Sequence, residues 1–125
     1  MHALIIDDDK NSLFVLSQML RMEGIDSTIV NDPTTLEDVL GGLPAVNIVF
    51  LDLEMPDSNG YQILEQLRAD SRFENVPIVA CSVYTDELNN TYQAGFNSFV
   101  AKPIDADRFP GQLRQILGGQ AVWRG

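Results

Sequence analysis

Short apolar runs alternate along this chain with longer stretches in which apolar residues recur three or four positions apart. The runs suit strands buried on both faces and the stretches suit amphipathic helices, so the alternation points to an α/β fold on a parallel sheet. The spacing predicts strands at Ala3–Ile6, Ile25–Val30, Ile48–Leu51, Ile78–Cys81 and Ser98–Ala101. Between them, helices carry Leu13, Leu16 and Leu20, then Leu36, Val39 and Leu40, then Ile63, Leu64 and Leu67. A fourth helix is expected over Asp86–Ala94, and a last one carries Phe109, Leu113, Ile116 and Leu117.

Punctuation along the chain agrees with this division. Asp32-Pro33 reads as a cap with proline at the first helical position, Asp57 or Ser58 as the cap of the third helix, and Thr85 as the cap of the fourth. Gly24 and Gly41-Gly42 are stop signals, and Gly95 suits a left-handed position just past a helix. An interior proline costs a helix about 3 kcal/mol or more, so Pro110 moves the expected start of the last helix to Phe109. Residues 1–118 then form one domain, and 119–125 read as a frayed tail or the start of a linker, with Trp123 able to fold back onto the surface.

The polar ends of the runs carry the chemistry. Asp7-Asp8-Asp9 follow the first, Asp52-Leu53-Glu54-Met55-Pro56 the third, Ser82 the fourth and Lys102-Pro103 the fifth. In one parallel sheet these ends meet in the crevice at the carboxyl edge, where open α/β sheets place ligands. Asp7, Asp8 and Asp52 would then lie close together, and like charges 4 Å apart repel by roughly 4 kcal/mol at an effective dielectric near 20. A divalent cation is the natural compensation, and an all-oxygen site open to water suits Mg²⁺. Asp9 is set aside as a helix-capping acid.

Composition removes other classes of function. With 125 residues and 45% hydrophobic content, the chain can bury one core and has no room for a second domain. A net charge of −10 offers no basic stripe to a phosphate backbone, so nucleic acid is not an expected direct partner. No apolar run nears the roughly 20 residues of a membrane span, and a cytoplasmic setting is expected. Cys81 sits inside an apolar run and reads as a small buried hydrophobe, while His2, the single histidine, precedes a buried strand and is no candidate for a phosphate relay.

Taken in order, Asp7-Asp8, Asp52 with Met55-Pro56 and Gly60, Ser82, and Lys102-Pro103 resemble the receiver domain of bacterial two-component response regulators. The resemblance extends from the first strand to the last helix. It implies a flavodoxin-like, doubly wound, five-stranded parallel sheet in the order 2-1-3-4-5 with helices on both faces. It further implies that Asp52 is the nucleophile and phosphoacceptor, taking a phosphoryl group from the histidine of a separate sensor kinase or phosphotransfer protein. Mg²⁺ would be bound by Asp8 and Asp52, by Asp7 through water, and by the backbone carbonyl of Glu54. Lys102 would neutralise charge growing on the phosphoryl oxygens. Ser82 and Phe99 would form the switch, the hydroxyl drawn to the phosphoryl group while the ring moves between outward and buried rotamers. The surface of helix four, strand five and helix five would then meet a downstream protein target or a second copy in a homodimer. Glu54 and Tyr84 lie where the family varies and flank the path of the water that hydrolyses the acyl phosphate.

Two other readings stand beside this one. Phosphatases of the haloacid dehalogenase type carry Asp-x-Asp at the nucleophile, whereas Asp52 is followed by Leu53-Glu54 and no cap-sized insertion is present. A receiver-like interaction module that works without phosphorylation remains open, although the acidic, hydroxyl and lysine positions all carry competent side chains. Any enzymatic chemistry would be phosphotransfer and autodephosphorylation only.

Overall fold

A computed structural model describes residues 1–56 and 58–124, with the side chain of Arg124 outside the description. The strands are β1 (His2–Ile6), β2 (Asp26–Val30), β3 (Ile48–Asp52), β4 (Ile78–Ser82) and β5 (Ser98–Ala101). The helices are α1 (Lys10–Met22), α2 (Leu36–Gly41), α3 (Gly60–Arg68), α4 (Leu88–Ala94) and α5 (Phe109–Leu117). A short β6 (Trp123–Arg124) closes the chain. The order across the sheet is β2-β1-β3-β4-β5-β6, every neighbouring pair parallel. The expected 2-1-3-4-5 arrangement is therefore present, extended by one strand at the β5 edge.

Alternation along the strands divides the core into two layers. Leu4, Ile6, Val49, Leu51 and Phe99 face Leu36 of α2, Ile63 and Leu67 of α3, and Phe96. On the other side Ala3, Ile5, Phe50 and Val100 face Leu13, Leu16 and Leu20 of α1 and Phe109, Leu113 and Ile116 of α5. All five residues of β3 and of β4 are buried, as central strands covered on both faces must be.

Helix starts depart from expectation in an instructive way. Asp32 does cap a helical segment by accepting from Thr34 N, but Pro33–Thr35 form a 3₁₀ turn and α2 begins at Leu36. Thr85–Glu87 likewise form a 3₁₀ turn, so α4 starts at Leu88 and Thr85 is not its cap. The amides that a Thr85 cap would bind are taken instead by backbone carbonyls, Glu87 N donating to Tyr84 O at 3.0 Å and Leu88 N to Thr85 O. Asn59 caps α3 by accepting from Tyr61 N at 2.9 Å. Ser58 is displaced from that role by one position, and Asp57 lies outside the described residues. Gly95 adopts the left-handed conformation expected of it, and α5 begins at Phe109 with Pro110 in its first turn.

Residues 118–124 do not fray. Gly119 takes φ of +91°, with its amide given to Ile116 O at 3.1 Å and that of Gln120 to Gln115 O at 2.8 Å. This double bond pattern at a left-handed glycine turns the chain back toward the sheet. Val122 and Trp123 then reach β5, with Phe99 N donating to Val122 O at 2.8 Å. A glycine pair that reads as the start of a linker thus makes a tight turn.

Candidate functional site

β1 and β3 are neighbours at the point where the strand order reverses, so Asp7 and Asp52 leave the sheet side by side. Both side chains are almost fully buried, with residue exposures of 5% and 3%. Lys102 arrives from β5, beyond the end of β4, and its ammonium lies 2.8 Å from Asp7 Oδ2 and 3.1 Å from Asp52 Oδ1. One cation therefore bridges two buried anions.

The remaining bonds hold the carboxylates in place. Asp9 N donates to Asp7 Oδ1 at 2.9 Å, while Asp9 itself accepts from Asn11 N and caps α1, the role read for it from the sequence. Glu54 N donates to Asp52 Oδ1 at 3.2 Å. Burial first, and then the neighbouring Asp7 carboxylate, push the Asp52 carboxyl up to about 6, against the opposing pull of Lys102 and the Glu54 amide. Burial works to lower the Lys102 ammonium, but its hydrogen bond to Asp7 and the charges of Asp52 and Asp7 outweigh that and hold it above its ordinary range.

Asp8 is exposed at the mouth, and carboxylate oxygens of Asp7, Asp8 and Asp52 all lie within 4.8 Å of one another. An all-oxygen donor set with one open side fits a hard divalent cation that keeps part of its water shell. These residues fit Mg²⁺.

A cleft of about 730 Å³ opens over this cluster, lined by Asp7, Asp8, Asp52, Glu54, Tyr84 and Lys102 among others. Ser82 does not line it. Its side chain is fully buried, and its hydroxyl accepts from Tyr84 N at 2.9 Å. Phe99 is also fully buried, in the layer with Phe96. Cys81 is a buried thiol pushed up to about 12 by its burial, which matches its reading as a small hydrophobe.

Strand order, the acidic cluster and the bridging lysine are the parts of a receiver, and a family model described as the response regulator receiver domain matches residues 3–114. The chain belongs to this family. Among curated relatives, this receiver domain is 28% identical over 123 residues to protein RcaC of Microchaete diplosiphon, covering 97% of this chain and 19% of that one. It is 29% identical over 105 residues to the two-component response regulator ORR5 of Oryza sativa subsp. japonica, covering 82% of this chain and 78% of that one. Its fold superposes on the chemotaxis response regulator CheY4 of Vibrio cholerae with a TM-score of 0.81 at 17% identity, over 92% of this chain and 97% of that one. The chain thus spans about a fifth of RcaC and most of ORR5. No described helix is long and apolar enough to cross a membrane.

Two features of this receiver site were not anticipated. The Glu54 side chain reaches across the cleft mouth to accept from Val83 N at 2.9 Å, and its other oxygen is buried without a hydrogen-bond partner among the described residues. Tyr61 on α3 donates to Glu87 in the turn before α4, and burial, followed by that acid, raises its phenol well above its ordinary range. The position of Glu54, two residues after Asp52, was the available signal for the first. Nothing in local sequence signals the second.

Proposed function

We propose that this receiver domain, residues 1–118 together with the strand that closes the sheet, is a phosphorylation-controlled switch in the cytoplasm. Asp52 takes a phosphoryl group from a phosphohistidine on a sensor kinase or phosphotransfer protein. A carboxylate oxygen of Asp52 forms the new P–O bond as the P–N bond breaks, the electron pair returning to the imidazole of the donor. Mg²⁺ held by Asp8 and Asp52, by Asp7 through water and by the Glu54 carbonyl would neutralise phosphoryl-oxygen charge. Lys102 holds Asp52 in position and supplies a second positive charge to the same oxygens. Water later cleaves the acyl phosphate.

The observation that carries this reading is the arrangement of Asp52. Its carboxylate is buried at the end of a central strand, 3.1 Å from an ammonium shared with a second buried carboxylate, beneath an open cleft. Once Asp52 is modified, Ser82 would exchange its bond to the Tyr84 amide for one to the phosphoryl group, drawing the β4–α4 loop inward. Phe99 would shift with it, and the face of α4, β5 and α5 would change for a downstream protein or a second copy. This is a local charge biasing a bistable element.

Incubation with acetyl phosphate and Mg²⁺, followed by intact-mass measurement under mild conditions, tests the chemistry. The expected result is a gain of one phosphoryl group that disappears in Asp52→Asn. A gain that persists in the variant would overturn the assignment of Asp52, and no gain from acetyl phosphate or phosphoramidate would favour an interaction module that works without phosphorylation.

A further inference from the structure

The strand added at the β5 edge lies on the face through which the switch is read out. Val122 is buried in the layer of α1 and α5, whereas Trp123 packs against the opposite layer and sets its ring 5.2 Å from that of Tyr92 on α4, edge to face. The backbone is fastened at two points. Phe99 N donates to Val122 O at 2.8 Å, and Val122 N donates to the buried Ser98 Oγ at 2.9 Å. The segment therefore straddles the joint between β5 and α4.

We propose that residues 120–123 are a strap that covers the α4–β5–α5 face in the resting state and is displaced when the face is switched. The inference rests on the reading that this face reports the state of Asp52. Its physical basis is where the fastenings fall. The backbone bonds fall on Ser98 and Phe99, just before Lys102, and the ring contact falls on the helix that follows the Ser82–Tyr84 loop. A shift of α4 against β5 must break the ring contact or the backbone bond. Burial of Val122 and its bond to Ser98 Oγ hold the segment besides these, and the β5 edge it covers is a ready template for an incoming strand. Strap and partner then compete for one surface.

Trp123 is the single tryptophan of the chain, so its fluorescence reports the strap directly. With Mg²⁺ and beryllofluoride added as a phosphoryl mimic, the emission of Trp123 should shift to the red and its quenching by acrylamide should rise toward that of the unfolded chain. Amide exchange at Phe99 should accelerate in the same samples. Because coupling is reciprocal, Trp123→Ala should bind beryllofluoride more tightly by about five-fold or more, while Trp123→Phe, which keeps a ring against Tyr92, should behave as the parent. Uptake of phosphate from acetyl phosphate is measured alongside. If Asp52 is modified yet Trp123 quenching and Phe99 exchange are unchanged, the strap proposal is wrong and the switch stands. If Asp52 takes no phosphate, the switch reading fails and the strap's regulatory role fails with it.

Discussion

Two loops leave the same edge of the sheet under opposite constraints. The β1–α1 loop is short and self-bonded, with the Asp9 amide donating to Asp7, the Asp9 carboxylate accepting from Asn11 N in the first turn of α1, and Asp7 fixed by Lys102. The β4–α4 loop exposes Val83 and Tyr84, at 53% and 59%, and is tied at its start by Glu54 and Ser82 and at its end by the Tyr61 bond to Glu87. The first loop builds a rigid anionic floor. The second is the more exposed of the two and is held from across the fold, by side chains of the β3–α3 segment.

The sharpest test of the rigid side removes its cation. Lys102→Ala leaves Asp7 and Asp52 buried without a counter-charge, and breaking a buried ion pair from one side costs about 3 kcal/mol. Urea unfolding in the presence of a chelator should show that loss, and millimolar Mg²⁺ should recover part of it. A variant as stable as the parent in chelator would mean that the floor is solvated after all.

A second test uses pH. Asp52 in the folded chain holds its proton up to about 6, whereas an unfolded carboxylate releases it near 3.8. Between those values the folded state binds more protons than the unfolded one, so this contribution to stability is complete below about pH 3.8 and lost as pH rises through 6. Subtracting the profile of Asp52→Asn isolates the effect from the other carboxylates. In chelator, the variant should gain on the parent by roughly 2 kcal/mol between pH 4 and 7. A flat difference would show Asp52 to be fully compensated by Lys102.

Much of this floor was legible in the sequence, because it depends on strand ends. An apolar run buried on both faces has only one place to put a carboxylate, which is where the run stops, and Asp7, Asp52 and Lys102 each stand there. The second loop was far less legible. Its bonds join Glu54 to Val83 and Tyr61 to Glu87, contacts across the fold that leave no periodic trace. Local propensity also misplaced the start of α4, since the amides that Thr85 would cap, those of Glu87 and Leu88, are bonded to backbone carbonyls in a 3₁₀ turn. β6 was hidden for another reason. Two residues of ladder carry no alternation, and Gly118-Gly119 looks the same in a linker as in a helix-ending turn.

A third and smaller effect separates the loops directly. Asp9→Ala removes the cap of α1 and should cost about 1 kcal/mol of global stability, with a lower unfolding midpoint in urea. The comparison predicts that the floor tolerates this change without losing Mg²⁺ affinity, since the carboxylates that meet there are those of Asp7, Asp8 and Asp52. The Asp9 amide that bonds Asp7 survives the substitution, so a large loss of Mg²⁺ binding would mean that the cap itself holds the floor in place.

The smallest effect is the most specific. Glu54→Ala deletes the side chain that holds the Val83 amide, while leaving intact the Glu54 backbone amide that bonds Asp52. One hydrogen bond of this kind is worth about 1 kcal/mol net, so exchange of the Val83 amide should accelerate by about five-fold. Global stability should barely change, because the deleted carboxylate also has a buried oxygen with no partner among the described residues, and removing it offsets the lost bond. The same variant should reach the switched state more readily, as loop movement no longer has to break the Glu54 bond. If Val83 exchange stayed at the parental rate while the unfolding midpoint fell, Glu54 would belong to the rigid floor and the division between the two loops would be drawn in the wrong place.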